Sequence, residues 1–187
     1  MFIKSTDLRV GHKIEHNNDL WVVMETMHRT PGKGNALMQV RLRSLRTGRS
    51  TNERFRSTEH VRQADLEIKK MQFLYESEGL YTFMDNETYD QIQIGAEALG
   101  EGARYLTENL EVMVQFHEGR PLGIELPPKV VLRVVEAEPG VKGDTVSNVT
   151  KPALTESGLT VQVPIFVNEG DLIRVNTETG QYVERAN

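Results

Sequence analysis

The sequence predicts an all-β protein made of three small barrels in succession. Three observations carry that expectation. Apolar and polar residues alternate with period two through most of the chain, the mark of half-buried strands. Turn-forming clusters of Gly, Pro, Asn and Asp interrupt the alternation at short intervals. The charge also divides by thirds. Residues 1–63 carry 12 Lys/Arg against 6 Asp/Glu, residues 64–127 carry 4 against 13, and residues 128–187 carry 6 against 8. The expected modules follow these limits: a basic SH3-like barrel over 1–63, an acidic OB-fold over 64–127 and a C-terminal OB-fold over 128–187.

The first module opens with Leu8 to Glu15 and a polar turn at His16-Asn17-Asn18-Asp19. Strands follow at Leu20–Met24, Leu37–Arg43 and Thr51–Phe55, the first two separated by a Pro/Gly loop and the last two by Thr47-Gly48. Five short strands are expected in this module. In the second, Lys70–Tyr75 and Leu80–Met84 flank a turn at Ser77-Glu78-Gly79. Ala96–Thr107 reads as a helix, with Gly100 and Gly102 weakening it. Val112–Phe116 and Leu122–Leu126 flank Glu118-Gly119-Arg120-Pro121, and Pro127-Pro128 stiffens the junction. The third runs through Val130–Val135, a long loop from Pro139 to Thr150, then Leu159–Val163, Leu172–Val175 and Gln181–Val183. Each core is small, so packing between neighbouring modules should assist.

Composition narrows the function. The 187 residues are 38% hydrophobic and 26% charged, which fits a folded soluble chain. There are no cysteines, so disulfides, thiolate zinc sites and cysteine nucleophiles are excluded. No apolar run approaches the roughly 20 residues of a membrane helix, and Met1 to Asp7 lacks an apolar signal core. A cytoplasmic protein without a membrane partner is expected. No catalytic constellation is found. Gly-x-Ser-x-Gly is missing, and Gly32-Lys33 lacks both the upstream Gly and the following Ser/Thr of a phosphate-binding loop. The five histidines are scattered; His12 and His16 are four apart, but on a strand they would not share a helix face. The acidic residues of the middle third are spread singly, as on a solvated face. No enzyme, metal site or cofactor is expected.

Two features remain. In Thr30-Pro31-Gly32-Lys33-Gly34-Asn35, Pro31 fixes φ, while Gly32 and Gly34 permit φ > 0. Such a loop projects from a hairpin and holds Lys33 at its tip, where a compact ammonium on a long stem can enter a crevice or be modified. The plain alternative is an exposed hairpin turn. Beside it, Arg41, Arg43, Arg46, Arg49, Arg54 and Arg56 fall within sixteen residues. Arg41 and Arg43 alternate with Val40 and Leu42, so they share a face, and guanidinium suits bidentate phosphate contact. A Lys-tipped loop on a basic barrel points to RNA, with Arg41, Arg43, Arg54 and Arg56 as contacts.

The chain resembles bacterial elongation factor P. The residues that carry the resemblance are Pro31-Gly32-Lys33-Gly34, then Pro139-Gly140-Val141-Lys142-Gly143-Asp144-Thr145 with Lys151-Pro152-Ala153, then Gly158 through Val163-Pro164-Ile165-Phe166-Val167 and Gly170, and the ending Gly180-Gln181-Tyr182-Val183-Glu184-Arg185. Together they span all three modules. The resemblance implies a KOW-like first barrel and two OB-folds in an L-shaped, tRNA-like arrangement. It implies binding to the 70S ribosome between the peptidyl-tRNA and exit sites, and relief of stalling at consecutive prolines. Lys33 then matches the modified residue, reaching toward the peptidyl-transferase centre, with Pro31, Gly32 and Gly34 shaping its loop. Gly143, Asp144 and Thr145 match the loop beside the exit-site codon, and Tyr182 and Arg185 the end that approaches tRNA and the small subunit. The implied partners are peptidyl-tRNA, proline tRNA preferred, with rRNA, the mRNA exit-site codon and a lysine-modifying enzyme; the factor is expected to act as a monomer. Thr30 stands where many relatives carry Lys, and Leu154-Thr155-Glu156-Ser157 departs from the usual Thr-Leu-Ser-Thr. The alternatives are a paralogue with other clients and a generic RNA-binding module that has no need of Lys33.

Overall fold

The computed structural model describes residues 1–140 and 149–186. It contains three separate antiparallel sheets, each curled into a small barrel. The first belongs to one compact unit of the chain; the second and third belong to another.

The first sheet has six strands: β1 (Phe2–Lys4), β2 (Lys13–His16), β3 (Asp19–Arg29), β4 (Leu37–Ser44), β5 (Ser50–Arg56) and β6 (His60–Gln63), in the order β1-β6-β2-β3-β4-β5. The sequence expects five strands here and marks runs for four; the two it does not mark are the short β1 and β6, which pair with each other from Phe2 opposite Arg62 to Lys4 opposite His60. Alternation is cleanest on β4. Met38, Val40 and Leu42 point inward onto Leu8, Ile14, Val23, Phe55 and Val61, while Leu37, Gln39, Arg41 and Arg43 point outward. Ser5 is fully buried, and its hydroxyl donates to the Arg56 carbonyl at 2.7 Å, tying the end of β5 to the first turn. The extra residue Met24 bulges β3 between Val23 and Glu25.

The second sheet comprises β7 (Glu67–Ser77), β8 (Leu80–Asp85), β9 (Gln91–Gly95), β10 (Glu111–His117) and β11 (Arg120–Glu125), in the order β11-β10-β7-β8-β9. Its core is Met71, Phe73, Phe83, Ile94, Leu99, Leu106, Val112, Val114 and Phe116. The predicted long helix is replaced by one turn, α1 (Ala96–Leu99), and a 3₁₀ segment over Gly100–Tyr105. Gly100 explains the break: it takes φ +55 with ψ −135, outside the helical region.

The third sheet comprises β12 (Lys129–Ala137), β13 (Thr150–Thr155), β14 (Thr160–Pro164), β15 (Leu172–Asn176) and β16 (Tyr182–Arg185), in the order β14-β13-β12-β15-β16. Its core of Val130, Leu132, Val134, Ala153, Leu159, Val161, Val163, Val167, Ile173 and Val175 also takes in Tyr105 of the 3₁₀ segment. Leu110 and Leu126 pack against the second and the third core alike. The Thr177 hydroxyl donates to the Pro127 carbonyl at 2.5 Å. The two OB barrels thus share apolar contacts, as their small size requires.

Candidate nucleic-acid interface

Strands β3 and β4 form a hairpin whose last pair is Arg29 opposite Leu37. Residues 30–36 close it, with Pro31, Gly32, Lys33 and Gly34 all exposed. Of the two glycines only Gly34 uses a positive φ, +129; Gly32 keeps an ordinary φ, and nothing lies within 4 Å of where its β-carbon would stand. Lys33 therefore rises between two residues that add no bulk, and it joins no ion pair or hydrogen bond among the described residues. A groove of about 470 Å³ lies at the foot of this loop, lined by Arg29, Thr30, Pro31, Leu37, Gln39 and Arg54.

The register of β3, β4 and β5 sets out the neighbouring face row by row. Nearest the loop stand Arg29, Leu37 and Arg56, then Met27, Gln39 and Arg54, then Glu25, Arg41 and Asn52, then Val22, Arg43 and Ser50. On β4 and β5 successive rows are two residues apart, so the face runs about 20 Å from the hairpin end. Arg41, Arg43, Arg54 and Arg56 all occupy it and are exposed. The face carries one acid in these rows, Glu25, 3.5 Å from Arg41, and both partners are largely in solvent, so the pair is weak. The other two arginines of the sequence cluster lie elsewhere. Arg46 is 3.5 Å from the Asp19 carboxylate, and Arg49 sits in the β4–β5 turn. Arg29 joins the face without having been singled out in the sequence; its position just before Thr30-Pro31 is the signal that places it there.

Asp19 braces the far end of this hairpin. Burial acts to raise its pKa, but the Leu20 N–H at 2.9 Å, the Ser44 hydroxyl at 3.1 Å and the Arg46 guanidinium outweigh it and hold the carboxyl below its ordinary 3.8.

In the third barrel, Gly143, Asp144 and Thr145 lie outside the described residues. The roots of their loop are described. A β-carbon at Gly140 would stand 2.9 Å from the Ile165 carbonyl oxygen, so only glycine fits that approach. The Lys151 ammonium, nearly buried, donates to the Glu138 carbonyl at 2.5 Å. Tyr182 is half-buried against the third core, and that desolvation raises its pKa despite the nearby Arg185. Arg185 is exposed; its guanidinium lies 5.0 Å from the Phe166 ring centroid and 4.0 Å from Asp171. Among the described residues no three His, Asp or Glu side chains are grouped to hold a metal. No helix among them is long and apolar enough to cross a membrane.

A cation-tipped hairpin on a basic barrel, followed by two OB barrels, defines a class of translation factor. Family models describe the three parts: the elongation factor P KOW-like domain matches residues 4–61, the elongation factor P OB domain residues 66–124, and the elongation factor P C-terminal domain residues 130–185. The chain belongs to the elongation factor P family, and its broad role is that of a translation elongation factor with ribosome and tRNA as partners. Among solved structures it is similar to translation initiation factor 5A from Methanococcus jannaschii, at 19% identity over 67% of this chain and 94% of that one, with a TM-score of 0.52. That likeness concerns the fold. An eIF-5A family protein from Naegleria fowleri matches at 14% identity over 67% of this chain and 95% of that one, with a TM-score of 0.44.

Proposed function

We propose that this factor binds the 70S ribosome between the peptidyl-tRNA and exit sites and speeds peptide-bond formation at consecutive prolines. Lys33 is the reaching arm, and an enzyme of the host extends it covalently. The observation that carries the reading is the hairpin itself: an ammonium with no partner among the described residues, between two glycines at the head of a face bearing Arg29, Arg41, Arg43, Arg54 and Arg56. Such a face grips phosphates along an RNA, and the free tip enters a space too narrow for a bulkier turn.

The physical basis is positioning. Proline restricts its own backbone and amine, so the reacting ends meet in poor geometry. A factor that holds the acceptor end of the peptidyl-tRNA lowers the barrier by orientation, with no acid, base or nucleophile of its own. Gly143, Asp144 and Thr145 are assigned to the exit-site codon, and Tyr182 and Arg185 to tRNA or the small subunit. The partners are peptidyl-tRNA, with proline tRNA preferred, rRNA and mRNA. The chain acts as a monomer in the cytoplasm and needs no cofactor.

The test is reconstituted translation of two templates, one coding for consecutive prolines and one without them. Adding the factor should raise the rate of prolyl-prolyl bond formation and leave the control template unchanged. Equal effects on both templates, or none on either, would overturn the proline-specific role.

A further inference from the structure

Phe166 is an aromatic side chain held out in water by a loop that is firmly anchored. It is 54% exposed, whereas its neighbour Val167 is fully buried in the third core. The loop is braced on both sides. Val167 N–H donates to the Pro164 carbonyl at 3.1 Å, Asn168 N–H to the Asp171 carboxylate at 2.9 Å, and Gly170 N–H to the Val134 carbonyl at 2.8 Å. The Arg133 guanidinium donates to the Gly170 carbonyl at 3.0 Å. Onto the ring comes Arg185 from β16, with its guanidinium carbon 5.0 Å from the centroid. Neither group completes a core there: the guanidinium lies over one face of the ring, and about half of each side chain faces solvent.

We infer that Phe166 and Arg185 form a stacking platform for one unpaired RNA base. This rests on the ribosome-binding reading and names the chemistry of one of its contacts. Unpaired bases are taken up on aromatic rings and guanidinium planes, and an exposed, pre-ordered pair loses little freedom on binding. The loop is held at one more point, where Gly140 closely approaches the Ile165 carbonyl next to Phe166. Charge argues for stacking rather than phosphate binding: Asp171 lies 4.0 Å from Arg185, and Glu184 is paired with Arg174 nearby. The platform therefore contributes an attraction that salt screens little, in contrast to the arginine face of the first barrel.

The experiment uses the full chain with 70S ribosomes. Phe166→Ala and Phe166→Leu should both weaken binding about tenfold, because both remove the ring, and the ratio to wild type should be the same at low and high salt. Phe166→Trp should bind as well as wild type. All three should melt as the wild type does, since the ring is half exposed and its neighbour Val167 carries the core contact. With the photoreactive p-benzoylphenylalanine at position 166, irradiation should give an adduct on RNA, and mapping it tells mRNA, tRNA and rRNA apart. An adduct only on ribosomal protein, no adduct, or wild-type affinity in Phe166→Leu would overturn the platform and leave the function standing. Failure of the wild-type chain to bind ribosomes would overturn both.

Discussion

Lys33 is exposed and joins no ion pair among the described residues, so its charge and its nitrogen are both open to a partner or a modifying enzyme. Lys33→Arg keeps the charge and removes the amine. If a covalent extension is made on that nitrogen, the arginine variant should fail to rescue polyproline synthesis, and the Lys33 peptide of protein from its native host should carry added mass in mass spectrometry. Gly140 makes a different kind of demand. Its missing β-carbon is what allows the Ile165 carbonyl to approach, and that oxygen is backbone, with no rotamer to move away. Gly140→Ala should cost about 1–3 kcal/mol in denaturant unfolding, in line with overpacking elsewhere. Lys33 was legible in sequence because Pro and two Gly surround it. The Phe166 platform was not: the partners lie nineteen positions apart, and nothing in the local pattern marks them as neighbours.

The strands are where sequence and structure agree most closely, since a period of two with one buried face is hard to mistake on β4 or β14. The exceptions have separate causes. β13 contains Pro152, which speaks against a strand. Here β12 pairs only as far as Ala137 opposite Ala153, so Pro152, one residue beyond, has no β12 partner for the N–H it lacks. β1 and β6 are three and four residues long, too short to show a period. The arginine face was read correctly on one strand, but its extent needed the pairing of β3, β4 and β5. Replacing Arg54 or Arg43 by Gln should weaken ribosome binding and reduce the slope of log affinity against log salt by roughly one per charge. At the other end of the hairpin, Asp19 has a lowered folded-state pKa. Its contribution to stability is thus complete above about 3.8 and is lost as pH falls through its lower folded value. Asp19→Ala, which leaves Ser44 and Arg46 without their acceptor, should cost about 1–2 kcal/mol at neutral pH. The difference between variant and wild type should shrink in acid unfolding experiments below that range.

Across the whole molecule, three small cores replace one large one. Net charges of +6, −9 and −2 on successive thirds were visible in the sequence, whereas the sharing of apolar contacts between the two OB barrels was not. Tyr105 shows why. It lies in the 3₁₀ segment of the second barrel, in a stretch with helical composition, yet it belongs to the buried core of the third, with Val130, Leu132 and Ile173. Tyr105→Ala should cost about 3 kcal/mol and destabilise both OB barrels together, seen by hydrogen exchange as loss of protection in β10 and β15 alike.

The most direct measurement compares wild type with Lys33→Ala in single-turnover prolyl-prolyl bond formation, with ribosome affinity determined on the same preparations. The arginine face remains in the variant, so binding should stay within a few-fold of wild type while stimulation of the bond is lost. Full stimulation by Lys33→Ala would contradict the positioning role of the hairpin tip and return the protein to a general RNA-binding module.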